Sequence, residues 1–310
     1  MKTIVNKGTD PYYNLALEEY LLRRWKREEE LFYLWRNSPV VVVGRNQNVF
    51  SEVNLRETEK DGVPIVRRVS GGGSVYHDLG NLNFTFLAPY SKENLNNYRK
   101  FTEPILSVLN GLGVPAEFSG KSDLVVDGKK ISGNAQSFLG GRMIHHGTLL
   151  FDADLERLNS YLKMKESISS FAVRSRPSQV ANLKAYFPEG FGIQDLASKL
   201  LEEIVLNSGG EVIHLREEEL AEVEELKNEK YLSWDWNYGE SPEFAIKAPE
   251  ASVRVKEGRI RDFCSDLLPE GGKSLEPGLL GTRFLEKEVE AALSGIEEGI
   301  KRRIIDALFK

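Results

Sequence analysis

The chain has 310 residues, of which 41% are hydrophobic and 28% are charged, a composition typical of a folded protein with a sizeable core and not of a disordered or fibrous one. Its net charge of −6 argues against broad binding to nucleic acid or to an anionic membrane. Cys264 is the single cysteine, which excludes an intrachain disulfide; with no apolar signal segment in the sequence, we expect a cytoplasmic protein with no membrane partner.

The first predicted element is an amphipathic helix over residues 11–29. Asp10 is a residue type that caps helix N-termini, and Pro11 suits the first helical position because its missing N–H would have no partner there. Tyr13, Leu17 and Leu21 then recur at helical spacing. The following segments are predicted as strands over 31–35, 40–43, 63–69 and 83–87, and as a helix over 97–112.

A tight hairpin is predicted around Asp127-Gly128. Asp-Gly between two apolar runs, here 124–126 and 130–132, favours a two-residue β-turn. A second turn, at Gly140-Gly141, precedes a predicted strand over 146–151. The later predictions are helices over 193–207 and 216–228, strands over 251–256 and 259–262, and a terminal helix over 287–308.

The turn-like segment 233–243 divides the chain into two predicted domains, residues 1–243 and residues 244–310. The first contains several hairpins and lacks the regular βαβα alternation of a doubly wound sheet. We therefore expect an α/β (α+β) domain built on a mixed sheet. The second part has its own strands and a terminal helix, which predicts a small α/β domain.

The stretch RRVSGGGSVYHDLGN, residues 67–81, places two arginines beside three glycines. It is not a dinucleotide-binding fingerprint, because Tyr76 stands where the third glycine is required. Nor does the Gly-Lys-Ser at 120–122 complete a P-loop, because Pro115 replaces its first glycine. Gly71–Gly73 can still present consecutive N–H groups to an anion, or can form a plain surface turn. The charged residues on either side favour the anion-binding interpretation.

Alternation along strands limits which of the nearby charged residues can face one site. Arg67 and Arg68 point to opposite faces of a strand, so one of them is expected to reach the site. Lys129 and Lys130 alternate in the same way on the predicted hairpin. A lysine directed inward can neutralise a carboxylate and a phosphate as they react. Asp123 can position Mg²⁺ or a ribose, or can simply cap a strand.

Four ordered motifs make the chain resemble a known family. They are RRVSGGGSVYHDLGN with the following FTF, then DLVVDGKKISGNAQ, then HHGTLLFDADL, then VRSRPSQVANL. In this order they resemble the lipoate–protein ligases of the LplA type, over about residues 10–236. The resemblance implies the catalytic fold that this family shares with biotin–protein ligases and class II aminoacyl-tRNA synthetases, with a small C-terminal accessory domain.

The resemblance also implies the reaction. Lipoate would attack the α-phosphate of ATP, with Mg²⁺ present, to give lipoyl-AMP and pyrophosphate. The ε-amine of an acceptor lysine would then take the lipoyl group as an amide. The implied acceptors are the E2 lipoyl domains of 2-oxoacid dehydrogenases and the glycine-cleavage H protein, and no nucleic acid is implied.

The family's functional residues can be carried over position by position. The resemblance implies that Lys130, and not Lys129, is the catalytic lysine at the junction of acyl carbonyl and phosphate. The implied contacts with ATP or lipoyl-AMP are Arg68, Ser70, Gly71, Gly72, Gly73, Ser74, Val75, Tyr76, Asp123 and Lys130. The implied contacts with lipoate are Gly72, Gly73, His77, Lys130, Ser132, Gly133 and His146. No set of metal ligands can be read from the sequence beyond Asp123.

Three alternative functions fit the sequence less well than the ligase does. Octanoyl or lipoyl transferases of the same superfamily carry the acyl group on a cysteine, whereas residues 1–263 contain none. Biotin–protein ligases carry a Gly-Arg-Gly-Arg type of loop that is absent from this sequence. A non-catalytic lipoyl-binding homologue would not require the complete set of site residues. The sequence therefore predicts an ATP-dependent lipoate–protein ligase.

Overall fold

Strands and short helices alternate irregularly along the computed structural model of the chain, which describes residues 1–26, 29–206, 209–269 and 276–309. The strands are β1 Lys2–Val5, β2 Leu31–Trp35, β3 Val40–Val43, β4 Ile65–Arg67, β5 Val75–His77, β6 Asn81–Pro89, β7 Glu117–Phe118, β8 Asp123–Val126, β9 Lys129–Leu139, β10 Arg142–Leu150, β11 Ile168–Ser170, β12 Glu211–Val212, β13 Phe244–Lys247, β14 Ser252–Lys256 and β15 Arg259–Cys264. The α-helices are α1 Pro11–Arg24, α2 Val49–Glu52, α3 Leu55–Lys60, α4 Tyr98–Gly111, α5 Leu155–Tyr161, α6 Ile193–Leu201, α7 Glu217–Leu226, α8 Glu276–Leu279, α9 Glu286–Ala292 and α10 Glu298–Phe309.

Eight strands form a large sheet in the order β12-β1-β2-β6-β10-β9-β8-β7. The pairs of β1 with β12 and with β2 are parallel, and the other pairs are antiparallel. The predicted mixed sheet and α/β (α+β) class are therefore confirmed. The register places Trp35 opposite Asn83, and Thr85 opposite both Tyr33 and His146, so these side chains share one face.

The two faces of the large sheet have different partners. On one face Phe32, Leu34 and Phe84 pack in a core with α4 and α6. On the other face Tyr33 and Trp35 pack in a core with α1. Burying an aromatic side chain of this kind contributes roughly 1.5–3 kcal/mol, so each helix layer is held mainly by apolar contact. The face that carries Trp35 also carries the polar residues described below.

A small sheet of order β4-β3-β5 packs on the α1 side of the large sheet, in the same core as α1. Its central strand is the predicted Val40–Val43, and all four valines are buried. β3 is parallel to β4 and antiparallel to β5. The chain between β4 and β5 is the glycine-rich stretch, so this stretch is held at both ends by one short sheet.

Two predicted helices differ from the structure. The helix from Pro11 is capped by the Asp10 carboxylate, which accepts from the Tyr12 N–H at 2.9 Å, but it ends at Arg24 and not at residue 29. Residues 27 and 28 of that prediction lie outside the described residues. The predicted single helix over 287–308 is wrong, because α9 and α10 are separated by a turn containing Ser294 and Gly295. Both are poorer helix formers than alanine.

The predicted helices over 193–207 and 216–228 are each confirmed in their first part. After α6 the chain continues as a wider helical turn over Glu202–Leu206, and after α7 as a similar turn over Lys227–Tyr231. Residue 207 of the first prediction lies outside the described residues. No helix among the described ranges has the length and apolar content needed to cross a membrane.

The C-terminal part is continuous with the rest of the molecule. β13 pairs with β11 in a four-stranded sheet of order β11-β13-β14-β15, with Ile246 opposite Ile168. Phe50 of α2 contacts Phe244 and Phe284, with ring centroids 5.1 and 5.6 Å apart. The predicted boundary at residue 243 therefore crosses both a sheet and a shared hydrophobic core.

Candidate active site

A cavity of about 500 Å³ lies between the large sheet and the small sheet. Its walls come from β2, β6, β8, β9 and β10 on one side and from β3, β5 and the glycine-rich stretch on the other. The chain between β11 and α6 contributes a further wall through residues 173–178. Sequence regions that are far apart along the chain thus meet around one space.

One end of the cavity is apolar. Leu15 of α1, Trp35 of β2, Val42 of β3 and Val75 of β5 line it. The Trp35 indole is fixed in place because its Nε1–H donates to Thr85 Oγ1 at 3.2 Å. This end is suited to a hydrocarbon chain.

The other end of the cavity is rich in positive charge. Lys121, Lys130, Arg174 and Arg176 lie on its wall. Among the described residues of this wall, Asp123 provides the one carboxylate. Several cations with one carboxylate favour an anionic ligand, and arginine suits the geometry of phosphate oxygens.

Lys130 is directed into the cavity and Lys129 is exposed. The Lys130 Nζ lies 3.1 Å from the Asp123 carboxylate across the β8–β9 pair. Gly133 allows this position, because a Cβ there would come within 2.9 Å of Lys130 Nζ. The side chain is only 27% exposed, so its charge acts in a partly dehydrated setting where electrostatic effects are stronger than in bulk water.

Arg68 holds the shape of the glycine-rich stretch. Its Nη2 donates to the carbonyl oxygens of Gly71 and Gly73, at 2.5 and 2.8 Å, and its Nε donates to Ser70 Oγ at 2.9 Å. Gly72 has φ of 91°, a conformation that favours glycine. Burial lowers the pKa of Arg68 to about 10, which still leaves the guanidinium charged at neutral pH. Arg68 lines the cavity, yet much of its hydrogen-bonding capacity serves the loop.

A buried relay connects α1 to this loop. The Glu18 carboxylate accepts from His146 Nδ1 at 2.8 Å, and His146 Nε2 lies 2.6 Å from Ser70 Oγ. With Glu18 accepting the proton of Nδ1, an unprotonated Nε2 would accept from the Ser70 hydroxyl. The arrangement resembles a nucleophile with its base. However, Ser70 is 1% exposed and does not line the cavity, so the relay fixes the Arg68 side chain and offers no acyl-accepting hydroxyl.

Arg67 points away from the cavity, as alternation along a strand requires. Its guanidinium donates to the carbonyl oxygens of Gly44, Gln47, Trp236 and Asn237 and to a serine hydroxyl. The Arg67 main chain is paired as well, because its N–H donates to Asn237 Oδ1 and its carbonyl accepts from Trp236 Nε1. Arg67 is therefore a structural residue that joins β4 to the segment preceding β13.

Residues 173–178 form the part of the cavity wall that lies next to Lys130. The Ser175 hydroxyl accepts from the Ser74 N–H at 3.0 Å and from Gln47 Nε2 at 2.9 Å. The next part of the segment pairs with β9, because the Lys130 N–H donates to the Gln179 carbonyl at 2.8 Å. The segment from Ser175 to Gln179 thus contacts both the glycine-rich stretch and the backbone of Lys130.

The structure brings most of the predicted site residues together and leaves four off the cavity wall. Ser70 and Gly71 lie behind the wall, bonded to Arg68, and Ser132 is buried beside Asn134. The Tyr76 side chain points to the opposite face of β5 and packs on Tyr161. The predicted residues that do line the cavity are Arg68, Gly72, Gly73, Ser74, Val75, His77, Asp123, Lys130, Gly133 and His146.

Sequence reasoning missed several residues of the wall and one residue, Glu18, that lies behind it. Trp35 and Thr148 lie within ordinary strand patterns that carry no signal of function. Glu18 sits in an amphipathic helix, where an exposed carboxylate is the usual expectation. Arg174 and Arg176 belong to the motif VRSRPSQVANL, so the motif itself was a signal for them.

Two buried histidines predict acid sensitivity of the fold. Burial lowers the pKa of His77 and of His145 to about 3, and the positive charge of Arg68 adds to the effect at His77. Below about pH 6.5 the unfolded chain binds a proton at each histidine that the folded chain does not bind. The free energy of unfolding should therefore fall by about 1.4 kcal/mol per histidine for each pH unit below that value. Urea unfolding at pH 7 and pH 5.5 measures this fall.

The exposed His214 provides the matched control. Replacing His214 with glutamine should leave the pH dependence unchanged, whereas His145→Gln should reduce its slope. If the free energy of unfolding depends on pH with the same slope in wild type and in His145→Gln, the lowered pKa assigned to His145 is contradicted.

Comparison with known proteins gives one consistent result. The profile described as lipoyl protein ligase A/B catalytic domain matches residues 10–205. The chain is 39% identical over 302 residues to a lipoate–protein ligase of Bacillus subtilis, a match that covers 93% of this chain and 91% of the relative.

Two solved structures are similar in fold. One is a T. acidophilum protein assigned as a lipoate protein ligase and solved with lipoic acid, with a TM-score of 0.66 at 25% identity, covering 77% of this chain and 98% of that chain. The other is a lipoate–protein ligase A bound with ATP, with a TM-score of 0.65 at 25% identity and the same coverage. Both resemble this chain over a length comparable to that of the first predicted domain.

Proposed function

The chain belongs to the lipoyl protein ligase A/B family, and from that premise we propose that the cavity between the two sheets carries out both steps of ATP-dependent lipoate–protein ligation. The enzyme is a lipoate–protein ligase that uses lipoate and ATP. The observation that best supports placing the reaction here is the polarity of the cavity, which is apolar at one end and cationic at the other. A fatty acyl chain and a nucleotide phosphate need such opposite surroundings.

In the first step the lipoate carboxylate attacks the α-phosphate of ATP, forming lipoyl-AMP and releasing pyrophosphate. The acyl chain would lie beside Trp35 and Val75, which brings its carboxylate toward Lys130. Lys130 would offset the charge shared by the carboxylate and the phosphate as they approach each other. Arg174 and Arg176 would hold the phosphates at the mouth of the cavity.

In the second step the ε-amine of an acceptor lysine attacks the lipoyl carbonyl and AMP leaves. Neither step needs a nucleophile from the enzyme. Cys264, the single cysteine, lies exposed on β15 and does not line the cavity. This position supports the ligase over a transferase that carries the acyl group on a thiol.

The wall residues fit a Mg²⁺ ion delivered with ATP. Magnesium commonly binds one or two carboxylates together with substrate phosphates and several waters. Asp123 would supply the carboxylate, and the ion would add positive charge beside the phosphates. If Asp123 has this role, Asp123→Asn should raise the Mg²⁺ concentration that gives half-maximal pyrophosphate release, and an unchanged value would remove Asp123 from the site.

The acceptors are the E2 lipoyl domains of 2-oxoacid dehydrogenases and the glycine-cleavage H protein, and the enzyme acts in the cytoplasm. Incubation with lipoate, ATP and a panel of apo acceptor domains, followed by intact mass measurement, tests the function. ATP-dependent gain of one lipoyl amide supports the ligase. Transfer without ATP from an acylated carrier domain would indicate a transferase, and binding without any transfer would indicate an inactive homologue.

The chain divides functionally into a catalytic part, residues 1–243, and an accessory part, residues 244–310. A protein ending at residue 243 should lose at least tenfold in pyrophosphate release, because Phe50 loses Phe244 and Phe284. Phe50 lies on α2, which closely follows Gln47 in the chain. The Gln47 carbonyl oxygen accepts from Arg67, and Gln47 Nε2 donates to Ser175 Oγ. Loss of two such aromatic contacts should also lower the free energy of unfolding by roughly 2–5 kcal/mol, as measured in urea. Unchanged activity and stability would show that the accessory part is dispensable for adenylation.

A further inference from the structure

The apolar end of the cavity contains a buried polar atom that no described residue satisfies. His77 is 4% exposed and lines the cavity near Trp35, with ring centroids 6.2 Å apart. Its Nε2 is buried and has no hydrogen-bond partner within the described ranges of the chain. A buried polar group without a partner is uncommon and costly, so its presence in a ligand cavity calls for an explanation.

A chain of side-chain amides decides which His77 nitrogen carries the proton. Asn14 Nδ2 lies 3.3 Å from the Gly8 carbonyl oxygen and 2.8 Å from that of Arg36, so this end of the amide is the donor. The same NH₂ group donates to Asn37 Oδ1 at 2.9 Å. The Asn37 Nδ2 group therefore faces His77 Nδ1, at 3.2 Å, and donates to it.

His77 consequently carries a buried N–H group in the cavity wall. A nitrogen that accepts from Asn37 cannot carry a proton, so Nδ1 is unprotonated and the proton of the neutral ring is on Nε2. Burial lowers the pKa of His77 to about 3, and the positive charge of Arg68 acts in the same direction. The ring is therefore neutral at physiological pH, with one buried donor in the cavity wall beside Trp35.

We propose that the His77 Nε2–H donates to a dithiolane sulfur of lipoate and that His77 thereby selects lipoate over octanoate. This inference rests on the proposed function. The two acids share a carboxyl group and an eight-carbon chain, and they differ in the sulfur-containing ring at the far end. A divalent sulfur is a weak acceptor, whereas a saturated hydrocarbon offers none. Octanoate would therefore bury the Nε2–H without a partner, which is unfavourable.

Asn83 is a second wall residue with an atom, its Nδ2, that has no hydrogen-bond partner among the described residues, but it does not carry the same argument. It accepts from Asn81 Nδ2 at 2.8 Å, and Asn81 Oδ1 likewise has no partner in the part of the chain that the structure describes. Exchanging O and N in both amides leaves the same single hydrogen bond. The orientation of Asn83 is thus not fixed by its surroundings, whereas the proton position on His77 is.

The test compares pyrophosphate release with lipoate and with octanoate in wild type and in His77→Asn. The asparagine Oδ1 can replace Nδ1 as the acceptor for Asn37, while no group remains at the Nε2 position. The ratio of kcat/KM for lipoate to that for octanoate should fall roughly tenfold, the scale of one lost hydrogen bond to a buried donor. His77→Gln, whose amide reaches toward the Nε2 position, should recover part of the ratio.

His145→Asn is the matched control, because His145 is equally buried but does not line the cavity. In that variant kcat/KM for lipoate and kcat/KM for octanoate should change by the same factor. If wild type releases no pyrophosphate with either acid, the proposed function fails. If wild type is active and His77→Asn keeps the wild-type ratio, only the present inference fails.

A spectroscopic measurement on wild type avoids any effect of substitution on folding. Long-range ¹H–¹⁵N correlation spectra should show His77 as the neutral Nε2–H tautomer. Lipoate should shift its Nε2 proton resonance, and octanoate should leave that resonance near its free position. An Nδ1–H tautomer, or equal shifts with the two acids, would overturn the proposal.

Discussion

Replacing Lys130 with alanine is expected to lower the rate of lipoyl-adenylate formation by about 10²–10³-fold, the scale for removing one preorganised charge donor at a reacting centre. Lys130 enters the cavity from β9 and is paired with Asp123 at 3.1 Å. Its partial burial makes the charge effective, and its backbone is fixed on both sides by the Gln179 carbonyl and the Ala181 N–H. Release of pyrophosphate with lipoate and ATP measures the effect.

The neighbouring lysine gives the matched control for this prediction. Lys129 precedes Lys130 on the same strand and is exposed, so Lys129→Ala should retain wild-type activity. Transfer from preformed lipoyl-AMP to an apo acceptor domain separates the two steps and should also slow in Lys130→Ala. Wild-type pyrophosphate release by Lys130→Ala would exclude the charge role assigned to this residue.

Replacing Arg67 with alanine is expected to lower the free energy of unfolding by about 4 kcal/mol, because it leaves several buried acceptors without donors. The guanidinium is fully buried and serves carbonyl oxygens on both sides of β4, including those of Gly44 and Trp236. Burial lowers the pKa of Arg67 to about 10, so the group remains charged at neutral pH and depends on these oxygens for stabilisation. Urea unfolding followed by circular dichroism measures the loss.

An exposed arginine serves as the comparison for Arg67. Arg254 lies on β14 with its side chain 49% exposed, and Arg254→Ala should change the free energy of unfolding by no more than about 0.5 kcal/mol. Arg67→Lys should recover only part of the loss, because a single ammonium cannot reproduce the planar fork of donors. An Arg67→Ala protein as stable as Arg254→Ala would show that the buried network contributes little.

Local patterns predicted much of the fold and of the candidate site. The Asp127-Gly128 turn is present, with φ of 50° and 73° at these two residues, and it sets the alternation that separates Lys129 from Lys130. The same alternation separates Arg67 from Arg68. These predictions succeeded because strand geometry depends on neighbouring residues alone.

The partners of those residues could not be predicted in the same way. The sequence identified Arg67 as the arginine of the pair that turns away from the site, but not as a residue that joins β4 to Trp236, 169 positions later. It gave Glu18 a helix position, but not its hydrogen bond to His146, 128 positions away. Such pairs depend on how the sheets and helices pack, and no local pattern contains that information.

The sequence by itself determined the motifs, the turn chemistry, the face of each strand residue and, through the four ordered motifs, the family. The tertiary structure decided which of the two faces borders a cavity, which cations meet there, and that residues after 243 share a core with α2. It also decided that the His77 proton lies on Nε2, because that proton follows from a chain of amides contributed by Asn14 and Asn37. The physical reason is that alternation and turns are set by bonds between adjacent residues, whereas burial, charge state and proton position are set by neighbours brought together by folding.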